Sequence, residues 1–191
     1  MKNLVTESDF VETYDDFLSE STCSQLISLV DEENERIERD HRPNFYQRNI
    51  GNLPEYTGLY KKFSDIGMKY LTDIGYYDDI LPQKYGFEEM RVKKYDVGDS
   101  FDTHVDVSDY ASARRWLAFL VYLNDNFTGG ETEFPKHNFK AKPKTGKAVL
   151  FFNLNNDNTD RRDNSFHGGL PPIVGEKWMC NKWIRLKPIK K

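Results

Sequence analysis

The segment Trp116-Leu117-Ala118-Phe119-Leu120-Val121-Tyr122-Leu123-Asn124 holds the longest apolar run of the chain, and Thr128-Gly129-Gly130 and a short stretch at residues 131–134 follow it. A run of this length bounded by turn residues reads as a buried strand, and it is far short of the roughly 18 residues that a membrane-crossing helix needs. Residues 90–95, 101–105, 148–153 and 177–186 read the same way. The separators at 96–99, 143–146 and 168–172 carry the residue types that make turns. Successive short strands with no helices between them predict an antiparallel sandwich or barrel, open at one end.

The half before residue 89 has a different period. In residues 21–39, Cys23, Leu26, Ile27, Leu29, Val30 and Ile37 mostly fall at helical spacings, with serines ahead of them as caps. Residues 56–74 repeat the pattern through Leu59, Tyr60, Phe63, Ile66, Met68, Tyr70 and Leu71, after Pro54 and before Gly75. Helices followed by a β-barrel make an α+β domain. At 191 residues the chain is expected to be one domain, residues 1–88 mainly helical support and 89–187 the β core.

Composition narrows the function. An aromatic content of 14% excludes a disordered chain. The net charge is -4, and no Lys/Arg-rich stretch is long enough to track a phosphate backbone, so nucleic acid is not expected as a partner. Nor is a membrane. Acidic residues stand where a secretory leader would be apolar, so a cytoplasmic location is expected. Cys23 and Cys180 form no disulfide framework and are expected as buried thiols.

The chemistry-bearing residues lie in the second half. On a strand, positions i and i+2 share a face, so His104 and Asp106 can offer an imidazole and a carboxylate to one point inside the barrel. His167, in Asp163-Asn164-Ser165-Phe166-His167-Gly168-Gly169, would complete two histidines and a carboxylate. That facial set holds non-heme Fe(II) with open coordination positions. The alternative is that the histidines only satisfy hydrogen bonds inside a barrel. Ten residues after His167 comes Lys177, heading a strand whose inward residues would be Lys177, Met179, Asn181 and Trp183. A lysine aimed into a barrel needs an anion, and a small dicarboxylate chelating iron at its other end would supply one. The alternative is an ammonium left in water at a strand start.

These residues resemble the prolyl 4-hydroxylase group of Fe(II)/2-oxoglutarate-dependent dioxygenases. The similarity runs in one order through Tyr95-x-x-Gly98-x-x-Phe101-x-x-His104-x-Asp106, Arg115, Tyr122-Leu123-Asn124, Gly129-Gly130-Glu131-Thr132-x-Phe134-Pro135, Pro143-x-x-Gly146-x-Ala148, Asp163-x-Ser165-x-His167, and Gly175-x-Lys177-Trp178 with Trp183. The Asp16-Phe17-Leu18-Ser19 stretch resembles the family's usual start. The resemblance implies a double-stranded β-helix (jelly-roll) core with supporting N-terminal helices. It implies His104, Asp106 and His167 as catalytic iron ligands and Lys177 as the partner of the distal carboxylate of 2-oxoglutarate, with Tyr95, Tyr122 and Trp183 on the cosubstrate side. The cofactors implied are Fe(II), 2-oxoglutarate and O2, with ascorbate a candidate reductant. Ala118 stands where the family has threonine, which bears on cosubstrate affinity. Asp106 argues against halogenation, where a small residue takes this place.

The reaction implied is hydroxylation of a proline-rich peptide or protein, giving hydroxyproline, succinate and CO2. An extended, polyproline II peptide would lie across Arg115, Trp183, Arg185 and the loop at 107–113. The polar loop at 155–162 would be either a lid over the substrate or a disordered insertion, and 187–191 a solvated tail. Two other readings stay open. One is a 2-oxoglutarate oxygenase acting on a free amino acid or other small molecule. The other is a non-catalytic metal- or ligand-binding β-barrel interaction module.

Overall fold

The computed structural model describes residues 10–30, 35–39, 42–50, 56–73, 85–154 and 163–186. Fourteen strands and two α-helices are assigned among them. The central strand, β14 (Lys177–Leu186), pairs antiparallel with β7 (Arg115–Tyr122) on one side and β5 (Met90–Tyr95) on the other. Beyond β7 lie β11 (Ala148–Phe152) and β1 (Val11–Tyr14), and beyond β5 lie β3 (Arg42–Ile50) and β2 (Glu35–Arg39), while β4 (Tyr85–Phe87) joins the end of β14. The second sheet runs β10 (Phe139–Ala141), β9 (Thr132–Phe134), β12 (His167–Gly169), β6 (Phe101–His104). A short ladder of β8 (Thr128–Gly129) and β13 (Pro172–Val174) stands apart.

The apolar runs follow from burial on both faces. All of β7 after Arg115 is buried, and so is all of β11. The outer face is covered by helix α2 (Thr57–Asp73), whose Phe63 meets Phe119 edge-on at 5.0 Å. A methyl group on Gly67 would come within 2.9 Å of Leu117 Cδ2, so glycine lets this helix lie close to the sheet. The inner faces of the two sheets meet through Phe134 and Phe151 at 5.2 Å and Phe45 and Phe101 at 5.4 Å. Side-chain burial on this scale is the main source of stability, at about 1.5–3 kcal/mol per large apolar side chain. The result is the jelly-roll with helical support that the family resemblance implied.

Several sequence expectations hold and others do not. Strands β5 and β14 occupy the residues expected, and α2 differs from its expected span by one residue at each end. Helix α1 (Glu20–Ser28) is capped by Ser19, whose hydroxyl accepts from the Thr22 backbone N–H at 3.2 Å. It stops well before residue 39, and Glu35–Arg39 forms β2 instead. The reason is non-local: β2 pairs with β3, and β3 with β5, which overrides the helical spacing of Ile37. The expectation of a mainly helical first half is thereby corrected, since β1, β2, β3 and β4 all extend the large sheet. Residues 168–172, read as a turn, fall largely in β12 and β13. A Cβ at Gly168 would sit 3.2 Å from the Phe101 carbonyl oxygen, so here glycine serves close strand approach as well as turning. Cys23 and Cys180 are buried and free. No helix among the described residues is long and apolar enough to cross a membrane. The loop at 155–162 and the tail at 187–191 lie outside the described residues.

Candidate metal centre and its pockets

His104 ends β6, Asp106 follows in a bend, and His167 begins β12 directly opposite His104 in the ladder. One ligand atom from each of the three lies within 4.8 Å of the others. His104 Nε2 is 3.6 Å and His167 Nε2 4.0 Å from Asp106 Oδ1. Each imidazole is turned by its own backbone: His104 Nδ1 lies 2.8 Å from the Asp102 carbonyl oxygen and His167 Nδ1 2.9 Å from that of Ser165. With Nδ1–H donating there, both Nε2 lone pairs face the common point. Asp106 Oδ2 accepts from the Trp183 indole N–H at 2.8 Å, which leaves Oδ1 directed at the histidines.

Electrostatics favour the metal-ready forms. Burial pushes the Asp106 carboxyl up, but His167, His104 and the Trp183 N–H together hold it well below the usual carboxylate range. Burial, then neighbouring His104, pull His167 down to about 4, so it is neutral at pH 7. The His104 and neutral His167 imidazoles with an ionised carboxylate are a donor set that suits a divalent transition metal and leaves coordination positions open.

A small pocket beside the trio is lined by Tyr95, Phe101, Leu120, Thr132, Gly169, Met179 and Asn181 together with His104 and His167. Against two of these residues, Tyr95 and Gly169, lies Lys177, fully buried, its Nζ without a hydrogen-bond partner and 4.9 Å from the centre of the Tyr95 ring. Burial first, and Lys93 second, push its ammonium down to about 7, opposed by Glu131. An orphaned buried ammonium near a metal trio is the counterpart of a small dicarboxylate that chelates at one end.

The other expected residues divide. Tyr95 lines the small pocket. Tyr122 does not: its hydroxyl donates to the Ala141 carbonyl at 3.0 Å, accepts from the Thr132 N–H at 2.8 Å and lies 2.8 Å from Thr132 Oγ1. It holds Thr132 in place, and its ring lies 5.9 Å from the Lys177 Nζ. Trp183 donates to the Asp106 carboxylate and lines the groove outside the trio. Arg115 and Arg185, expected as substrate contacts, are both tied to Glu88. Arg115 grips Glu88 with two 2.9 Å hydrogen bonds, donates to the Asp106 backbone carbonyl at 3.1 Å and stacks over Trp183 at 4.2 Å. Arg185 donates to the Ala111 carbonyl at 2.7 Å and pairs with Glu88 at 3.3 Å. Of the two, only Arg115 lines the substrate-sized groove outside the trio.

That groove encloses about 520 Å³ between Phe45 and Gln47 of β3, Arg91 and Lys93 of β5, Phe166, Trp183 and the loop at 107–113. The loop's involvement was expected, and its form is set by Asp109 and Ser112, which exchange backbone and side-chain hydrogen bonds of 2.7–3.2 Å. Sequence reasoning missed Glu88, which anchors both arginines, and Lys93 and Arg91, which face the groove. Alternation along β5 puts Arg91, Lys93 and Tyr95 on one face, and this was the available signal.

A family model of the 2OG-Fe(II) oxygenase superfamily matches residues 90–185. Prolyl 4-hydroxylase 2 of Arabidopsis thaliana is 30% identical over 205 residues, an alignment that covers 93% of this chain and 68% of the relative. A putative prolyl 4-hydroxylase of Acanthamoeba polyphaga mimivirus is 36% identical over 108 residues, covering 51% of this chain and 45% of the relative. Among solved structures, the 2OG complex of the viral collagen prolyl hydroxylase vCPH from Paramecium Bursaria Chlorella virus-1 superposes with a TM-score of 0.72 at 27% identity, over 96% of this chain and 99% of that one. A Trichoplax adhaerens prolyl hydroxylase in complex with a hypoxia inducible factor peptide fragment shares the fold, with a TM-score of 0.67 at 18% identity, over 94% and 84%.

Proposed function

The chain belongs to the 2OG-Fe(II) oxygenase superfamily and is a 2-oxoglutarate-dependent dioxygenase, and on that basis we propose that it hydroxylates proline within a peptide or protein at the 4-position. The observation that carries the reading is the convergence of the His104, Asp106 and His167 donor atoms beside a small pocket whose Tyr95 and Gly169 also lie against the unpartnered Lys177 ammonium. The whole chain, residues 1–191, acts as one catalytic domain.

In this reading His104, Asp106 and His167 hold Fe(II), and Lys177 takes the distal carboxylate of 2-oxoglutarate, with Tyr95, Thr132 and Asn181 around its stem. Bound together with dioxygen, these supply the oxidation that inserts one oxygen atom into a C–H bond and releases succinate and CO2. The chain's own residues supply geometry and shelter. The Asp102 and Ser165 carbonyls and the Trp183 N–H fix the three ligands in the orientation the metal needs. Arg115 ties the Asp106 backbone to Glu88, so the loop leaving the metal cannot swing away. Leu120, Met179 and Phe101 give the pocket an apolar wall that limits water.

The groove outside the trio fits an extended peptide better than a free amino acid, because 520 Å³ and an open mouth exceed what one residue fills. Relatives named as prolyl hydroxylases, one of them bound to a peptide, support this substrate class. The test is incubation of the iron-loaded protein with 2-oxoglutarate and a proline-rich peptide, with mass analysis of the peptide. Gain of one oxygen on proline is expected. Oxidation of free proline with the peptide untouched would replace the peptide reading by the small-molecule one.

A further inference from the structure

Three guanidiniums converge on one carboxylate beside the groove that would receive the substrate. Glu88 holds Arg115 at 2.9 Å, Arg185 at 3.3 Å and Arg91 at 3.5 Å. The carboxylates that line the groove are engaged elsewhere: Asp106 faces the histidines, and Asp109 is bonded to Ser112. The arginine cluster therefore carries more positive charge than Glu88 neutralises. Burial first, and Arg115 second, pull the Arg91 guanidinium below its usual range, against Glu88, Asp106 and Glu89.

The three arginines are not equally occupied. Arg115 places Nε and Nη2 on Glu88 and Nη1 on the Asp106 carbonyl, and Arg185 places Nη2 on the Ala111 carbonyl and Nε on Glu88. Arg91 is held by less. Among the described residues its guanidinium has the one Glu88 contact at 3.5 Å, longer than the roughly 2.7–2.9 Å of a good charge-assisted hydrogen bond. Most of its fork of N–H donors is thus open to a ligand. The side chain is 30% exposed, lines the groove and lies 4.9 Å from the centre of the Trp183 ring, which keeps it in place. The same indole donates to Asp106 Oδ2 at 2.8 Å, so a single tryptophan separates Arg91 from the metal trio. Lys93, the other cation on this face of β5, lies against the Phe45 and Phe101 rings. A partly desolvated, pre-positioned guanidinium at this place favours a carboxylate over a neutral group.

Resting on the prolyl hydroxylase reading above, we infer that Arg91 is a specificity-determining residue whose guanidinium binds the carboxylate of an acidic peptide side chain near the target proline. A polyproline II peptide advances about 3.1 Å per residue, and the width of one indole lies between Arg91 and Asp106, so the acidic side chain stands within about three residues of that proline. Arg115 and Arg185 stay on Glu88 and hold the wall of the groove, while Arg91 presents its open donors to the substrate.

The experiment uses proline peptides with both ends capped, paired so that members differ only by Glu or Gln at one of the positions within about three residues of the target proline. They are compared on wild type, Arg91→Gln, Arg91→Lys and, as a surface control, Lys61→Gln. Binding is measured by fluorescence anisotropy of labelled peptides, and kcat/KM by peptide hydroxylation. Wild type and Lys61→Gln are expected to favour Glu over Gln by about ten-fold at one or more positions in both readouts. Arg91→Gln should bring that ratio to about one, and Arg91→Lys should restore part of it, because an ammonium keeps the charge and loses the fork. Because the ratio is taken within each variant, a general loss of fold or activity does not imitate the effect. Hydroxylation with no preference for Glu at any position overturns the inference and leaves the hydroxylase reading standing. So does an Arg91→Gln variant that loses Glu and Gln peptides alike, which marks Arg91 as a support of the groove wall. A Glu preference in binding that depends on Arg91, without hydroxylation of any peptide, upholds the carboxylate subsite and overturns the hydroxylase reading.

Discussion

The Trp183 indole N–H donates to Asp106 Oδ2 at 2.8 Å, and this one hydrogen bond decides which carboxylate oxygen faces His104 and His167. Trp183→Phe keeps the ring under the Arg115 guanidinium and removes only the donor. Partners of this kind typically contribute 10- to 100-fold to metal affinity. The variant is therefore expected to bind Fe(II) about ten-fold more weakly, read by anaerobic metal titration, while Trp183→Phe at saturating iron recovers a substantial part of its turnover. Unchanged affinity would remove the orienting role.

His167→Ala should abolish metal binding and turnover, because it deletes one of three ligands from a site with no fourth donor among the described residues. His137→Ala is the control. His137 stacks on Phe10 at 4.6 Å and bonds to the Asn164 carbonyl outside the trio, so its loss should change metal affinity by less than about three-fold. Equal losses in the two variants would contradict the ligand assignment.

Lys177 gives a pH signature. Its pKa falls from 10.5 to about 7 in the folded protein. Above pH 7 the unfolded chain therefore holds a proton that the native chain releases, and native stability rises with pH. The rise should be visible between pH 7 and about 8.5, before cysteines titrate, with a slope of at most about 1.4 kcal/mol per unit. Lys177→Met should flatten it in denaturant unfolding series. Binding of 2-oxoglutarate at pH 8 should take up about one proton in the wild type and none in Lys177→Met, measured by calorimetry in buffers of different ionisation enthalpy. Proton uptake that persists in the variant would move the anion site elsewhere.

Lys182 is the outward counterpart of these buried cations. It is fully buried under α2, with no hydrogen-bond partner for Nζ, 3.9 Å from the centre of the Tyr60 ring, and burial brings its pKa down to about 8. Replacing it by Met keeps the volume and removes the desolvated charge. Lys182→Met is expected to be neutral or stabilising by about 1–2 kcal/mol at pH 7 in chemical denaturation. A loss larger than about 1 kcal/mol would show that the cation–π contact outweighs the desolvation.

The parts of this molecule that sequence discloses are those decided by local pattern. The alternation of Lys177, Met179, Asn181 and Trp183 placed β14 and its inward face, and the spacing from His104 to Asp106 placed two ligands. The parts it hides are decided by pairing at a distance. Glu35–Arg39 becomes a strand only through its partner β3, and Val11–Tyr14 only through β11. Side-chain bookkeeping is hidden for the same reason. Arg115 and Arg185 look like free substrate contacts until Glu88 is seen to anchor both, and the Tyr122 hydroxyl looks available until Thr132 and Ala141 are seen to occupy it.

The most direct measurement is the yield of succinate against hydroxyproline when the anaerobically iron-loaded protein meets 2-oxoglutarate, a proline-rich peptide and air. The proposed site predicts peptide-stimulated succinate in close to equal amount with peptide hydroxylation, and loss of both in Asp106→Ala. Verified iron binding with no succinate, with or without peptide, would contradict it and leave a metal-binding barrel without the oxygenase chemistry.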